Sequence, residues 1–353
     1  MEKRERLVFL DIIKICCAIL IYMRHSISMF GCSYGNLKID LLICATTSPV
    51  MTCFFVVSGF SIYYNNCRKN LLEAENLKGF YIKRFITIFP TYFLVHILSY
   101  FFTDNTIQQA IYATPAELLG IQSMFGGLFG VLHSGATWFI SSLLLGYFIY
   151  PLVQELLKMQ GKYTYITAMT IFFTLIYSEV VVTQIFSAPP GYVNPVLRAM
   201  QFVLGAALCS AFFESKNNGR SSSKALSVIG VNFVLSCAIL AFALYYNMSK
   251  QDIIVPIYYF LISLAMLISI RFKPQMLTKN RLIQYASSLS YYFFILQVFL
   301  WDLSAKLCSL TGWESNTGKL VISFTLCVIL SIICMEFFDK HAKNILKKKL
   351  VKA

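Results

Sequence analysis

Asp11, Lys14, Arg24 and His25 stand inside an otherwise apolar run, 7–30, that is long enough to cross a bilayer. Ionisable groups are expensive in hydrocarbon and mark functional sites by default. Lys14 and His25 lie eleven residues apart. At about 100° per residue this separation is about 20° from whole turns, and it covers about 16 Å of helix axis. The two therefore share one helical face. Asp11 lies one turn before Lys14, spaced to pair with it. The face reads Asp11, Lys14, Ala18, Tyr22, His25. An imidazole titrates near neutral pH and suits general-base work. An ammonium suits binding of an anion or of developing negative charge. The pattern thus offers a proton acceptor near one end of a membrane helix and an anion-binding charge near the other. Arg24 is assigned to the outer headgroups.

Further on, Phe54-Phe55-Val56-Val57-Ser58-Gly59-Phe60 combines a hydroxyl with a residue that permits close backbone approach. The segment Phe80 to Pro90 carries Lys83 and Arg84, a pair suited to phosphates. His96 and His133 have no chemical company in the sequence and are read as structural. The eleven cysteines show no metal-ligand spacing, so no metal site is expected. Cys16, Cys17, Cys209, Cys237, Cys327 and Cys334 fall in apolar runs and are read as small buried hydrophobes. Cys32 and Cys308 both fall near the expected outer face, and nothing in the sequence supports a bond between them.

The elements that must position these residues are membrane helices. Only 13% of the chain is charged, whereas a soluble domain carries about 25%. Apolar runs recur at 7–30, 41–64, 80–102, 136–157, 163–186, 194–214, 225–246, 252–270, 282–305 and 318–338. These predict an all-α, polytopic membrane bundle of about ten transmembrane helices. The first run is too long for a cleavable leader and lacks a small-residue cleavage site, so it is expected to be retained. Lys and Arg cluster in alternate loops. One set holds Lys3, Arg4, Arg6, Arg68, Lys69, Lys78, Lys83, Arg84, Lys158, Lys162, Lys216, Arg220, Lys224, Arg271, Lys273, Lys279, Arg281 and the tail. The other set holds only Lys38, Lys250, Lys306 and Lys319. The positive-inside rule then places both termini in the cytoplasm. The net charge of +14 is spread between apolar segments, which excludes a nucleic-acid patch.

The domain expected is a membrane domain over 1–340, followed by a basic tail over 341–353 suited to anionic lipid headgroups. The long outer segment, 103–135, has no Lys or Arg. Its stretch Leu118–Leu132 is expected to be re-entrant or interfacial. Arg198 falls within a span.

Taken together these stretches resemble the acyltransferase-3 family of bacterial membrane acyltransferases. The resemblance lies in Leu10-Asp11, a basic residue at Lys14, and His25. It continues in Phe54-Phe55 and Ser58-Gly59-Phe60, in Arg84 through Pro90, and in Trp138, Tyr147 and Pro151. Lys14 replaces the usual arginine, keeping the charge but not the bidentate fork. Thr87 stands where a second arginine is usual, and Leu143 where one branch carries a glutamate.

The resemblance implies acyl transfer, with acetyl as the default group, from acetyl-CoA or another acyl-CoA. No tightly bound cofactor is implied. The implied acceptor is a hydroxyl of an envelope glycan or lipid-linked sugar, and the implied location is the bacterial inner membrane. In that scheme His25 is the general base. Lys14 and Arg84, with Lys83, face donor phosphates or developing charge. Asp11 holds Lys14, and Ser58 offers a hydrogen bond near the thioester. The competing reading is a transporter or flippase of envelope-glycan intermediates, which needs neither a base nor acyl-CoA.

Overall fold

The computed structural model describes residues 5–102, 106–125, 128, 132–133, 135–185, 190–217, 221–245, 250–272 and 274–350. Every regular element among them is helical. In chain order these are α1 (Val8–Phe30), α2 (Leu37–Ala45), α3 (Thr47–Asn66), α4 (Ala74–Phe102) and α5 (Ile107–Leu119). After 3₁₀ turns come α6 (Trp138–Gln160), α7 (Thr164–Ile185), α8 (Pro190–Val193), α9 (Pro195–Asn217) and α10 (Ser221–Tyr245). The series closes with α11 (Lys250–Arg271), α12 (Gln275–Thr278), α13 (Arg281–Thr311), α14 (Asn316–Ile333) and α15 (Lys340–Leu350).

Each apolar run of the sequence coincides with a helix or a helix pair. Six helical stretches among the described residues are both long and apolar enough to cross a membrane: Leu37–Asn66, Ala74–Phe101, Gly135–Gln160, Pro195–Phe212, Ile254–Arg271 and Asn316–Leu350. Hydrocarbon forces this architecture, because a helix satisfies its own backbone groups where no water can. Two boundaries differ from the hydropathy reading. The second run is split at Thr46, with α2 started by Asn36, whose side chain accepts from Ile39 N at 3.1 Å. The last run continues past α14 through a π-helical turn, Cys334–Asp339, into the basic α15. The basic side chains Lys347, Lys348 and Lys349 sit in the last turn of α15, complementing the helix dipole. Within the long segment before α6, α5 and a 3₁₀ turn at Gln122–Met124 are formed. Gly126, Gly127 and Gly130 of that segment lie outside the described residues.

The helices fall into two compact units. One comprises Met1–Ile13, Ser48–Asn76 and Ser142–Ile283. Within it α3 and α9 cross backbone to backbone. A Cβ on Gly59 would lie 1.8 Å from Phe202 O, and one on Gly205 would lie 2.0 Å from Val56 O. Small residues on both helices are what allow this approach. The close approach read from Ser58-Gly59 is thus realised, with α9 as its partner. Arg198 on α9 is 1% exposed. Its Nε donates to Tyr192 O at 2.8 Å, and its Nη1 donates to Gln201 Oε1 at 2.8 Å and Thr52 Oγ1 at 3.2 Å. Its guanidinium lies over the rings of Phe55 and Tyr192. Here a delocalised cation is held by neutral oxygens and π faces.

The other unit comprises Lys14–Thr47, Leu77–Ser141 and Gln284–Ala353. Tyr22 is buried among Phe293, Trp301 and Phe324, with ring centroids 5.4–5.7 Å away. Its hydroxyl lies 2.7 Å from Ser323 Oγ, which itself donates to Lys319 O at 2.7 Å. Asn316 clasps the backbone of Ser33, accepting from its N at 2.8 Å and donating to its O at 2.7 Å. Asp339, 2% exposed in the π-helical turn, accepts from Tyr292 at 2.6 Å and Thr91 at 3.1 Å and pairs with Lys343 at 2.5 Å.

All eleven cysteines are free. Cys17, Cys209, Cys327 and Cys334 are buried as expected, but Cys16 and Cys237 are exposed on the outside of their helices. In a membrane helix an outward face meets lipid, so an apolar run does not by itself put a thiol inside the protein.

Candidate active site

Lys14, His25, Lys83 and Arg84 all belong to the unit that contains α4, α13 and α14, whereas Asp11 and Ser58 belong to the other. On α1 the face that carries Lys14 and His25 also carries Ala18 and Tyr22, both buried. The helix therefore turns this polar stripe toward protein, as its periodicity requires. Lys14 and His25 are each half-buried.

His25 has a partner that sequence spacing does not reveal. Its Nδ1 lies 3.0 Å from Oε1 of Gln297 on α13, a residue 1% exposed. The same amide donates its Nε2 to the Ala18 carbonyl of α1 at 3.4 Å. That second bond fixes which end of the amide faces the ring. An oxygen can only accept, so Nδ1 must carry the hydrogen and Nε2 is left with the lone pair. Gln297 thus sets both the orientation and the tautomer of the imidazole. Beside it runs a narrow crevice lined by Tyr22, Gln297, Leu300, Trp301, Ser323 and Cys327. The indole Nε1 of Trp301 is buried there with no hydrogen-bond partner among the described residues.

Asp11 is buried, and its carboxylate accepts from Arg6 Nε at 2.5 Å. Sequence spacing proposes Lys14 as partner and overlooks Arg6. The reason is local: the chain before Val8 is not helical, so helical spacing does not apply to Arg6. Ser58 donates its hydroxyl to Phe54 O at 2.7 Å, the i−4 carbonyl of its own helix. Its hydrogen is therefore engaged locally, and the oxygen lone pairs are what it offers elsewhere. Lys83 is exposed and Arg84 half-buried, with the Arg84 guanidinium 5.5 Å from the Phe80 ring centroid. Thr87, in the place of a second arginine, donates to Lys83 O at 2.7 Å.

His96 and His133 are not isolated. Both approach Oε2 of the buried Glu117, at 3.9 Å and 2.6 Å respectively. Glu117 lies on α5, and no spacing rule connects α5 with α4 or with the segment before α6. Gln297, Glu117 and the Arg198 cradle are the polar features that sequence reasoning missed. Only for Arg198 was there a signal, a charge inside an apolar run.

The family model for the acyltransferase domain of the acyltransferase-3 family matches residues 7–336, nearly the whole chain. The chain belongs to the acyltransferase-3 family. Membrane acyl transfer is therefore the chemistry in which these residues must be read. No curated protein and no solved structure matches the chain.

Proposed function

We propose that this acyltransferase-3 protein transfers an acyl group, acetyl by default, from an acyl-CoA to a hydroxyl of an envelope glycan or lipid-linked sugar. The observation that carries this reading is the Gln297 amide, which leaves His25 with its lone pair on Nε2. In the reaction, Nε2 takes the proton of the acceptor hydroxyl as its oxygen attacks the thioester carbonyl. The tetrahedral adduct collapses, the C–S bond breaks, and the CoA thiolate recovers the proton from the imidazolium. Imidazole suits both transfers because its ordinary pKa is near neutrality.

Lys14, Lys83 and Arg84 supply positive charge for the donor phosphates on the side that the loop charges assign to the cytoplasm. The reading takes ten spans with both termini on that side. The chain before α1 then lies with the CoA pool, and His25, near the far end of α1, faces the acceptor. Arg6 and Asp11 anchor the beginning of the helix that carries both groups. Ser58 remains a secondary contact through its lone pairs.

The test is thermal stability of the detergent-purified protein with and without acetyl-CoA. A ligand bound only by the folded state stabilises by about 2.7 kcal/mol at a hundred times its dissociation constant. A saturable shift, weakened in Lys14→Ala and Arg84→Ala, is the expected result. No shift with any acyl-CoA, in a preparation that still unfolds cooperatively, would favour a glycan transporter instead.

A further inference from the structure

The polar cluster around Glu117 lies outside the machinery assigned above. Glu117 is 3% exposed, and its Oε1 accepts from the backbone N of His133 at 2.9 Å. Its Oε2 faces His133 Nδ1 at 2.6 Å. A carboxylate only accepts, so His133 carries a hydrogen on Nδ1, and in the neutral ring Nε2 holds a lone pair. His96, 8% exposed, brings its Nδ1 to 3.9 Å from the same carboxylate oxygen.

The scaffold is held firmly. Tyr92 donates to the Glu117 carbonyl and, at 3.3 Å, to Gln122 Oε1. Gln122 Nε2 donates to Thr137 O and Oγ1, and Ser123 Oγ lies 2.7 Å from Ser141 Oγ. These bonds tie α4, α5 and the start of α6 into one frame.

Three ring nitrogens in this frame are nevertheless left over. His133 Nε2 and both nitrogens of His96 are buried without a hydrogen-bond partner among the described residues. A buried polar atom left without a partner destabilises the fold. We propose that His133, His96 and Glu117 form a binding site for a hydroxyl of the acceptor, and that this hydroxyl supplies the partner those nitrogens lack. The proposal rests on the acyltransferase reading for the word acceptor, but not for the site itself.

The donor and acceptor pattern selects the ligand. With both rings neutral, His133 Nε2 accepts, while His96 offers one donor and one acceptor. A hydroxyl can donate to one ring and accept from the other. An anion cannot donate and would face the Glu117 carboxylate. An ammonium cannot accept from His96. A metal ion is disfavoured by geometry, since the 2.6 Å contact between Glu117 and His133 is a direct hydrogen bond. No group of three His, Cys, Asp or Glu among the described residues is arranged to hold a metal.

One exposed aromatic ring completes the site. The fully buried Tyr92 ring backs His96 edge-on at 4.4 Å, and Tyr100, 47% exposed and tilted 5.7 Å from His133, offers the accessible face. Hydroxyls on an apolar C–H face describe a pyranose, which such a ring suits.

The experiment uses the full chain in detergent with ¹⁵N-labelled histidine rings. Only four histidines are present, so single His→Gln variants assign every signal. Methyl glycosides of glucose, galactose, mannose and N-acetylglucosamine are the probes. We expect at least one glycoside to move the His96 and His133 signals saturably. Glu117→Gln should weaken that binding tenfold or more while the acetyl-CoA stability shift stays as in the parent. Should Glu117→Gln fail to fold, His96→Gln serves for the same comparison. Ring signals that no glycoside moves, or an affinity unchanged in these variants, would overturn the site in favour of buried water. If the glycosides bind but no acyl-CoA gives a shift in the parent, the acyltransferase reading fails and the hydroxyl site stands.

Discussion

Replacing Gln297 by leucine tests the core of the mechanism, because it removes the bond that fixes His25 without touching the base. Leucine has similar volume, and Gln297 lies against Leu300 and Trp301 in the crevice, so packing is largely kept. Two interactions are lost. The weaker is the 3.4 Å bond to Ala18 O, whose carbonyl is in the interior of α1 and can serve that helix. The stronger is the 3.0 Å bond to His25 Nδ1. A neutral hydrogen bond of this kind contributes about 0.5–1.5 kcal/mol. Losing it lowers the productive tautomer and orientation by about 2- to 13-fold, since 1.4 kcal/mol is a factor of ten. Acyl transfer by Gln297→Leu should therefore fall about 2- to 13-fold in kcat, with acetyl-CoA affinity unchanged.

Gln297→Glu keeps an acceptor at the same place and should recover part of the rate, whereas His25→Ala should abolish transfer. The assay is incorporation of labelled acetyl from acetyl-CoA into acceptor in membranes that contain the protein, normalised to folded protein. A Gln297→Leu rate equal to the parent, with His25→Ala inactive, would mean that the amide does not govern the imidazole and the tautomer argument fails.

Other expectations follow from particular contacts. Gly59→Ala should destabilise the protein by more than the usual 1–3 kcal/mol of overpacking, because the new methyl meets a backbone carbonyl of α9; thermal unfolding checks this. Lys14→Arg should keep donor affinity and Lys14→Ala should weaken it, read from acetyl-CoA-dependent stability; equal affinity in both would assign Lys14 to helix placement alone. Maleimide labelling of denatured, unreduced protein should add eleven groups by mass spectrometry, whereas nine would reveal a disulfide.

Much of the architecture was legible because hydrocarbon imposes a one-dimensional rule. A segment that crosses it must be long, apolar and helical, and all these properties are local. The positions of the membrane helices, the split of charge between loops and the shared face of Lys14 and His25 follow from that rule and from 3.6-residue periodicity. The family motifs are equally local, as Leu10-Asp11 to His25 and Ser58-Gly59 show.

The hydrogen-bond partners of those residues were not local. Gln297 is 272 residues from His25, and its amide is one of several polar groups on α13 that look alike in sequence. Glu117 is one charge in the long segment before α6 until α4, α5 and the start of α6 bring two histidines to it. Cys16 and Cys17 are adjacent in one apolar run, yet one faces outward and the other inward. The sequence by itself determined that helices form, where they lie and which ionisable groups they must carry. Only the tertiary structure decided which faces meet, because lipid accepts any apolar face and the rotation of each helix is set by contact with its neighbours.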